Sequence, residues 1–144
     1  MKLLFLDMDG VMNTIQHTDR WIEPHCEKEL ARILEATQAN LVISSSWKTD
    51  ERMKAFILSM LDRINFRHRY FGDTPDFWEN NIPRHVEIKN FISVLGNVVD
   101  RFAILDDNDS ACIPNSIDSF FLCDRDIGLT TKIADKVIEW LNNE

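Results

Sequence analysis

Short apolar runs that end in acidic or hydroxyl residues are the feature that most restricts the fold of this chain. The first run, from Lys2 to Asp7, is almost continuously apolar. A strand with one face in solvent would alternate apolar and polar side chains, so this run indicates a strand buried on both faces, as in a parallel sheet. The same pattern predicts later strands at Leu41–Ile43, Phe102–Leu105 and Phe120–Leu122.

Apolar residues recur at helical spacing between these runs, so strands and helices are expected to alternate along the chain. This alternation predicts an α/β fold: a three-layer sandwich on a mostly parallel, Rossmann-like sheet, in one domain spanning residues 1–144. A further strand, too basic for the centre of the sheet, is predicted over Asn65–Tyr70, followed by a loop over Gly72–Pro83. The residues expected to begin or end helices are Pro24, Thr49, Leu61, Gly96 and Thr130.

Composition restricts the partners and the compartment. The 144 residues carry a formal net charge of −8, so nucleic-acid contact would need a local basic patch. Three widely spaced cysteines, without zinc-ligand spacing, predict reduced thiols in a cytoplasmic protein. No apolar segment approaches the roughly 20 residues of a membrane span, so no membrane partner is expected.

Polar residues follow the ends of several predicted strands. Asp7 and Asp9 come after the first strand, Ser44–Ser46 after the second, and Asp106 and Asp107 after a later one. Because the carboxyl ends of parallel strands share one edge of the sheet, these side chains are expected to meet there. Clustered carboxylates repel each other, and a divalent cation with oxygen ligands, usually Mg²⁺, would offset that repulsion. Since such Mg²⁺ sites also take phosphate oxygens, a phosphorylated substrate is predicted.

The spacing of Asp7 and Asp9 suits two different tasks at one phosphorus centre. In an extended segment both side chains would lie on one face, with the backbone carbonyl of Asp9 available to the cation. Asp7 would attack phosphorus and form an aspartyl-phosphate, while Asp9 would protonate the leaving oxygen and later activate water. Gly10 would let the chain leave the strand sharply.

Several segments resemble known motifs. DMDGV, LVISSSW and ILDD are similar, in the expected order, to the first, second and fourth motifs of the haloacid dehalogenase (HAD) superfamily of phosphotransferases. A closer resemblance, over nearly the whole chain, is to the small capless HAD domain of bacterial and phage RNA-repair proteins. The segments that carry it are EPHC at 23–26, SSSWK at 44–48, TP at 74–75, RHVEI at 84–88, ILDD at 104–107 and GLT at 128–130.

The resemblance implies a role for each matching residue. Asp7 matches the nucleophile and Asp9 the general acid/base. Ser45 is the preferred phosphate-binding hydroxyl, with Ser44 as its rival, and Arg84 matches the cation of the third motif. Because His85 stands where the closer family has glycine, Lys89 is an alternative to Arg84. The predicted metal ligands, with Asp107 preferred over Asp106 for direct contact, are Asp7, Asp9, Asp106 and Asp107.

These observations predict a Mg²⁺-dependent phosphatase without a substantial cap domain. An open site would admit a chain end, so a polynucleotide-end or nucleotide phosphatase is the leading hypothesis. The oligomeric state stays open, and a monomer is compatible with the sequence. The alternatives are a phosphoprotein or small-metabolite phosphatase, a non-catalytic binding module, and a phospho-acceptor domain. Candidates for nucleic-acid contact are the aromatic residues Trp47, Phe77 and Trp78 and a basic patch of Lys48, Arg67, His68 and Arg69.

Overall fold

A sheet of five parallel strands lies between helices in the computed structural model, which describes residues 1–17, 21–77 and 81–143. The strands are β1 (Lys2–Leu6), β2 (Asn40–Ile43), β3 (Tyr70–Asp73), β4 (Arg101–Asp106) and β5 (Phe120–Leu122). The helices are α1 (Pro24–Thr37), α2 (Glu51–Arg63), α3 (Arg84–Leu95) and α4 (Thr131–Asn142). The predicted α/β fold with a parallel sheet is confirmed.

The order of the strands creates a switch point beside β1. The strands lie in the order β3-β2-β1-β4-β5, and every pairing is parallel. The chain moves outward from β1 to β3 and then returns to the other side of β1 at β4. In open α/β sheets, ligands bind at the carboxyl ends of the strands at such a reversal. The carboxyl ends of β1 and β4 are therefore where a site is expected.

The two faces of β1 pack against different helices. Leu4 and Leu6 belong to a core that includes apolar residues of α1, α2 and α4. Leu3 and Phe5 point to the opposite face, where Ile88 of α3 is buried with them. All four of these β1 residues are fully buried, which explains the continuous apolar run. The helix layers on both faces form the predicted sandwich.

The predicted strand over Asn65–Tyr70 is wrong, because the strand begins only at Tyr70. A short 3₁₀-helix, Arg67–Arg69, precedes it. Arg69 donates hydrogen bonds to the carbonyl oxygens of Leu34 (3.3 Å) and Ala39 (3.2 Å), so this basic segment ties the connection after α1 to the sheet. Gly72 and Asp73, assigned to a loop by the sequence, belong to β3.

The second helix begins two residues later than predicted. Asp50 is its N-cap and accepts hydrogen bonds from the backbone N–H groups of Arg52 (2.8 Å) and Met53 (3.3 Å). This satisfies donors that a helix start leaves free, and it explains why Thr49 lies outside the helix. Gly96 does end α3, with φ 65, and Thr130 does cap α4.

The described connections at the carboxyl edge of the sheet form no cap domain. Within the described residues, 7–17 and 21–23 lead from β1 to α1 through turns and bends, and 74–77 and 81–83 lead from β3 to α3 without a helix or strand. Among the helices of the described ranges, none combines the length and the apolar character that crossing a bilayer requires.

Candidate active site

The ends of three strands bring most of the predicted site residues to one cavity. The N–H of Asp7 donates to the carbonyl of Leu105 (3.0 Å), and the N–H of Ser44 donates to that of Leu6 (3.0 Å), so both residues continue the sheet pairing beyond the strand ends. The cavity above them measures about 410 Å³. The predicted residues that line it are Asp7, Asp9, Ser44, Arg84 and Asp107.

Asp7, Asp106 and Asp107 form the acidic cluster of the site. One carboxylate oxygen from each lies within 4.8 Å of the others. Burial, reinforced by Asp106 and Asp107 and opposed by Arg84, raises the pKa of Asp7 well above its usual value. Burial also raises the pKa of Asp106, although Arg84 and the N–H of Asn108 oppose the shift. Three crowded carboxylates, two of them costly to ionise, provide an oxygen set that suits a hard divalent cation.

Arg84, the first residue of α3, is a cation that contacts Asp7 and Asp106, while Nε of Arg125 lies 3.7 Å from Oδ2 of Asp107. Nη1 of Arg84 lies 3.1 Å from Oδ1 of Asp7 and 2.7 Å from Oδ2 of Asp106. Burial disfavours the charge of Arg84, but the two aspartates outweigh that effect and raise its pKa above the usual value. Lys89, the alternative predicted from the sequence, is exposed and is not among the described residues that line the cavity.

Asp9 is held by neutral donors instead of charged ones. Nδ2 of Asn13 donates to its Oδ1 (3.1 Å), and Nε1 of Trp47 donates to its Oδ2 (3.0 Å). The carboxyl group of Asp9 is not part of the three-carboxylate cluster found in the described ranges. The metal contact predicted for Asp9, through its backbone carbonyl, stays a prediction. The two donors fix the direction of a carboxyl group that still opens onto the cavity.

Gly10 leaves the space that the side chain of Asp107 occupies. Its φ is +82, and a Cβ at this position would lie only 2.3 Å from Oδ2 of Asp107. Its N–H donates to Oδ1 of Asn13 (3.0 Å), the residue whose amide holds Asp9. The glycine predicted to turn the chain is thus also needed for the close approach of Asp107.

The structure distinguishes between the two candidate serines. Oγ of Ser44 is buried, lines the cavity and has no hydrogen-bond partner among the described residues. Oγ of Ser45 accepts a hydrogen bond from the N–H of Trp47 (3.1 Å) and caps the short 3₁₀-helix Ser46–Thr49. A buried hydroxyl without a partner is costly, so a ligand atom at Ser44 would relieve the cost. This geometry favours Ser44, where the sequence favoured Ser45.

Lys48 and Glu87 form a buried ion pair at the cavity that the sequence did not assign to the site. Nζ of Lys48 lies 3.2 Å from Oε1 of Glu87 and 2.8 Å from Oγ1 of Thr74, and the two charged side chains are only 5% and 8% exposed. Oε2 of Glu87 accepts from the N–H of Phe77 (2.7 Å). The TP and RHVEI segments contain Thr74 and Glu87, so the motif resemblance marked these residues without giving them a role.

The predicted nucleic-acid contacts do not form one surface at this cavity, although Lys48 lines it. Trp47 is 4% exposed, and its indole is engaged by Asp9. Arg67 pairs with Asp62 (3.0 Å) in the segment that precedes β3, at the amino end of the sheet, while Lys48 lies at the carboxyl edge. The predicted basic patch is therefore wrong. Trp78 lies outside the described residues.

The fold and the site together define a class of protein. A parallel sheet in this order, with a DxDG segment after β1 and paired acids after β4, is a HAD-like domain in which the described residues form no cap domain. A family model described as the HAD domain in Swiss Army Knife RNA repair proteins matches residues 3–134. The chain belongs to this family, as the sequence motifs predicted. No curated protein and no solved structure matches the chain. HAD domains are generally hydrolases or phosphatases, and they typically use Mg²⁺.

Proposed function

We propose that this protein is a Mg²⁺-dependent phosphatase that hydrolyses a phosphate monoester through an aspartyl-phosphate on Asp7. The observation that carries the proposal is that Asp7 and Asp9 open onto one cavity with different surroundings. Asp7 lies among Arg84 and two further carboxylates, whereas neutral donors hold Asp9. This is the arrangement that a nucleophile and a separate proton donor require.

The polar groups around the cavity divide into two binding sets. The clustered carboxylates of Asp7, Asp106 and Asp107 would hold Mg²⁺ together with the backbone carbonyl of Asp9. The hydroxyl of Ser44, the guanidinium of Arg84 and the ammonium of Lys48 would bind the phosphate oxygens. When bound, Mg²⁺ would offset the negative charge that the carboxylates and the phosphate bring together.

The reaction proceeds in two displacements at phosphorus. A carboxylate oxygen of Asp7 attacks phosphorus, the bond from phosphorus to the leaving oxygen breaks, and Asp9 in its acid form gives that oxygen a proton. Asp9 then takes a proton from a water molecule as the water attacks phosphorus. The bond from phosphorus to Asp7 breaks, which releases inorganic phosphate and restores the Asp7 carboxylate.

The proposed substrate is the phosphate of a polynucleotide end or of a nucleotide. In the described ranges no cap domain covers the cavity, so a long substrate can reach Asp7 from solvent. The family model that matches the chain is described by its occurrence in RNA repair proteins. Both observations favour a nucleic-acid substrate over a small metabolite enclosed by a lid.

A generic aryl phosphate tests the enzyme activity. We expect Mg²⁺-dependent phosphate release by the wild type, and a loss of roughly 10⁴-fold or more in Asp7→Asn, because the amide is not a nucleophile. Equal turnover by both proteins, or turnover unchanged by a chelator, would contradict the proposal. A comparison of a phosphorylated oligonucleotide, a mononucleotide and a phosphopeptide then tests the substrate class.

The predicted cytoplasmic location is also part of the proposal, to which we add a monomeric state. The location is supported by Cys26, Cys112 and Cys123, which are free thiols. Fractionation of cells and light scattering of the purified protein would test the two predictions separately.

A further inference from the structure

A second cavity lies on the far side of the residues that hold Asp9. It measures about 460 Å³ and is formed by the segment after β1, the start of α1 and one side of α2. Its walls combine aromatic and apolar surface with one ion pair. The residues that line this groove are Trp21, Ile22, Pro24, Glu27, Phe56 and Arg63.

Trp21 provides a fixed aromatic surface in the groove. Trp21 is 39% exposed, although tryptophan is highly buried on average. The ring of His17 stacks on it with centroids 4.6 Å apart and an interplanar angle of 12°. Its Nε1 donates to Oε1 of Glu23 (3.1 Å). A ring held on one face and at one edge loses little freedom when a ligand stacks on it.

Two residues connect this groove to the carboxyl group of Asp9. Nδ2 of Asn13 donates both to Oδ1 of Asp9 (3.1 Å) and to the carbonyl oxygen of Trp21 (3.3 Å). Trp47 donates to Oδ2 of Asp9, and its ring packs 6.1 Å from the ring of Phe56 in the groove wall. The groove thus lies next to Asp9, on the side of its two donors.

The position of the groove matters because of the task proposed for Asp9. A residue that protonates the leaving oxygen must lie within hydrogen-bond reach of it, so the remainder of the leaving group extends from the Asp9 side of the cavity. Trp21 is an exposed aromatic residue on that side, and its carbonyl oxygen is joined to Asp9 through the amide of Asn13. At the rim, Arg63 and Glu27 form a two-contact ion pair (3.0 and 2.6 Å) that offers donors and acceptors to the edge of a planar ligand.

We propose that the Trp21 groove binds the nucleobase of the leaving group by stacking. This inference rests on the proposed phosphatase activity and specifies its substrate as an ester whose alcohol carries a base. Stacking suits every base, because each has a π face, so the groove confers a preference for nucleotides without reading their sequence.

The test compares esters with and without a base. We measure kcat/KM for a nucleoside 5′-monophosphate, a nucleoside 3′-monophosphate and ribose 5-phosphate. We expect the wild type to prefer at least one nucleotide over the sugar phosphate by roughly 5- to 150-fold, the range expected for stacking of one base on an aromatic side chain. Trp21→Ala should lose most of this preference, and Trp21→Phe should keep most of it.

Phe71→Ala is the matched control, because Phe71 is 42% exposed but lies on β3, outside the groove. It should keep the wild-type preference. A wild type without preference, or a Trp21→Ala variant that slows all three substrates equally, overturns the inference while leaving the phosphatase proposal intact. Preferential, Trp21-dependent hydrolysis of a phosphotyrosine peptide also overturns it, because the groove would then take a protein side chain.

Failure of the phosphatase proposal would be recognised separately, by the absence of phosphate release from every substrate. The groove is then tested by calorimetric titration of the wild type with the same three compounds. Tighter binding of a nucleotide than of ribose 5-phosphate, reduced by Trp21→Ala, supports the groove assignment. Equal binding overturns it.

Discussion

Asp7 and Asp9 are two residues apart in the sequence, yet their carboxyl groups have different neighbours. Asp7 is buried beside Arg84 at 3.1 Å and shares a cluster with Asp106 and Asp107. Asp9 contacts the amide of Asn13 and the indole of Trp47, which carry no charge. The difference comes from distant segments: β4 and α3 surround Asp7, while the turns after β1 and β2 surround Asp9.

The comparison explains how two identical side chains can take different tasks. Charged neighbours make the protonation state of Asp7 depend on what else is bound, since a cation and Arg84 favour the carboxylate that attacks phosphorus. Neutral donors fix the orientation of Asp9 through both of its oxygens. A group that transfers a proton must lie within hydrogen-bond reach of the atom it serves, so a fixed orientation suits that task.

The largest expected effect that separates the two aspartates is on kcat. Asp9→Asn keeps the size of the side chain but cannot transfer a proton, so we expect kcat to fall by about 10²–10⁴-fold. With an aryl phosphate, whose leaving group needs little protonation, hydrolysis of the aspartyl-phosphate should become the slow step. Acid-quenched mass spectrometry should then detect a phosphorylated Asp7.

Asp7→Asn/Asp9→Asn is the control, since it should show no label at all. Labelling that persists in this double variant would contradict the assignment of Asp7. Wild-type turnover in Asp9→Asn would contradict the assignment of Asp9 as the residue that transfers the proton.

Gly10 joins the two surroundings, so changing it should disturb both. In Gly10→Ala the new Cβ would lie 2.3 Å from Oδ2 of Asp107. We expect Mg²⁺ affinity and turnover to fall by about 10- to 100-fold, as when the support of a metal ligand is lost. Calorimetric titration with Mg²⁺ and steady-state kinetics measure the two effects.

Gly96→Ala is a matched control for backbone strain. Its φ is also positive, at +65, but no atom lies within 4 Å of the added Cβ. Gly96→Ala should lose about 1–3 kcal/mol of unfolding free energy, because alanine is placed at a positive φ. Gly10→Ala should lose at least as much, since the contact with Asp107 adds to the same strain. Only the Gly10 variant should lose Mg²⁺ affinity, and equal losses would show that the contact with Asp107 is unimportant.

The acidic cluster predicts how Mg²⁺ stabilisation depends on pH. Folding raises the pKa of Asp7 and of Asp106, so the folded, metal-free protein holds these protons more tightly than the unfolded chain. The stability that this binding contributes is lost as pH rises through the folded-state pKa values. Mg²⁺ favours the ionised carboxylates, so its effect should grow over the same range.

Thermal unfolding with Mg²⁺ or a chelator measures this effect. The increase in Tm caused by Mg²⁺ should be larger at about pH 8 than at about pH 5. At a free concentration near 100 Kd, the gain should approach about 2.7 kcal/mol. Asp106→Asn should flatten the pH dependence, and an increase that is the same at both pH values in the wild type would contradict the assignment.

The sequence predicts the clustered aspartates of the site better than the residues that hold the site in place. Continuous apolar runs identify buried parallel strands, and the rule that ligands bind at strand ends then gathers Asp7, Asp106 and Asp107. Lys48 and Glu87 escape this reasoning, because their pairing depends on how a 3₁₀-helix and α3 meet across the cavity. Asn13 escapes it as well, since an amide in a turn carries no periodic signal.

The three consecutive serines show the limit most clearly. Ser44, Ser45 and Ser46 are identical, so no change from apolar to polar side chains along this segment indicates which hydroxyl faces the cavity. The choice is made by the turn into the 3₁₀-helix, where Ser45 accepts from the N–H of Trp47 and leaves Ser44 facing the cavity.

The smallest expected effects are those of replacing Ser44 or Ser45 by alanine. Ser44 is expected to act on the phosphate, and Ser45 on the orientation of Asp9. Ser44→Ala removes a donor to phosphate, so KM should rise by roughly 10-fold, the loss expected for one hydrogen bond to a charged group. Its unfolding free energy should change little or increase, because the buried hydroxyl has no partner among the described residues.

Ser45→Ala removes the hydroxyl that accepts from the N–H of Trp47 and caps the 3₁₀-helix, which should cost about 1 kcal/mol of unfolding free energy. It should lower kcat more than it raises KM, because Trp47 orients Asp9. Kinetics and thermal unfolding of both variants check the assignment. The opposite pattern, with KM rising in Ser45→Ala and stability falling in Ser44→Ala, would restore Ser45 as the phosphate-binding residue.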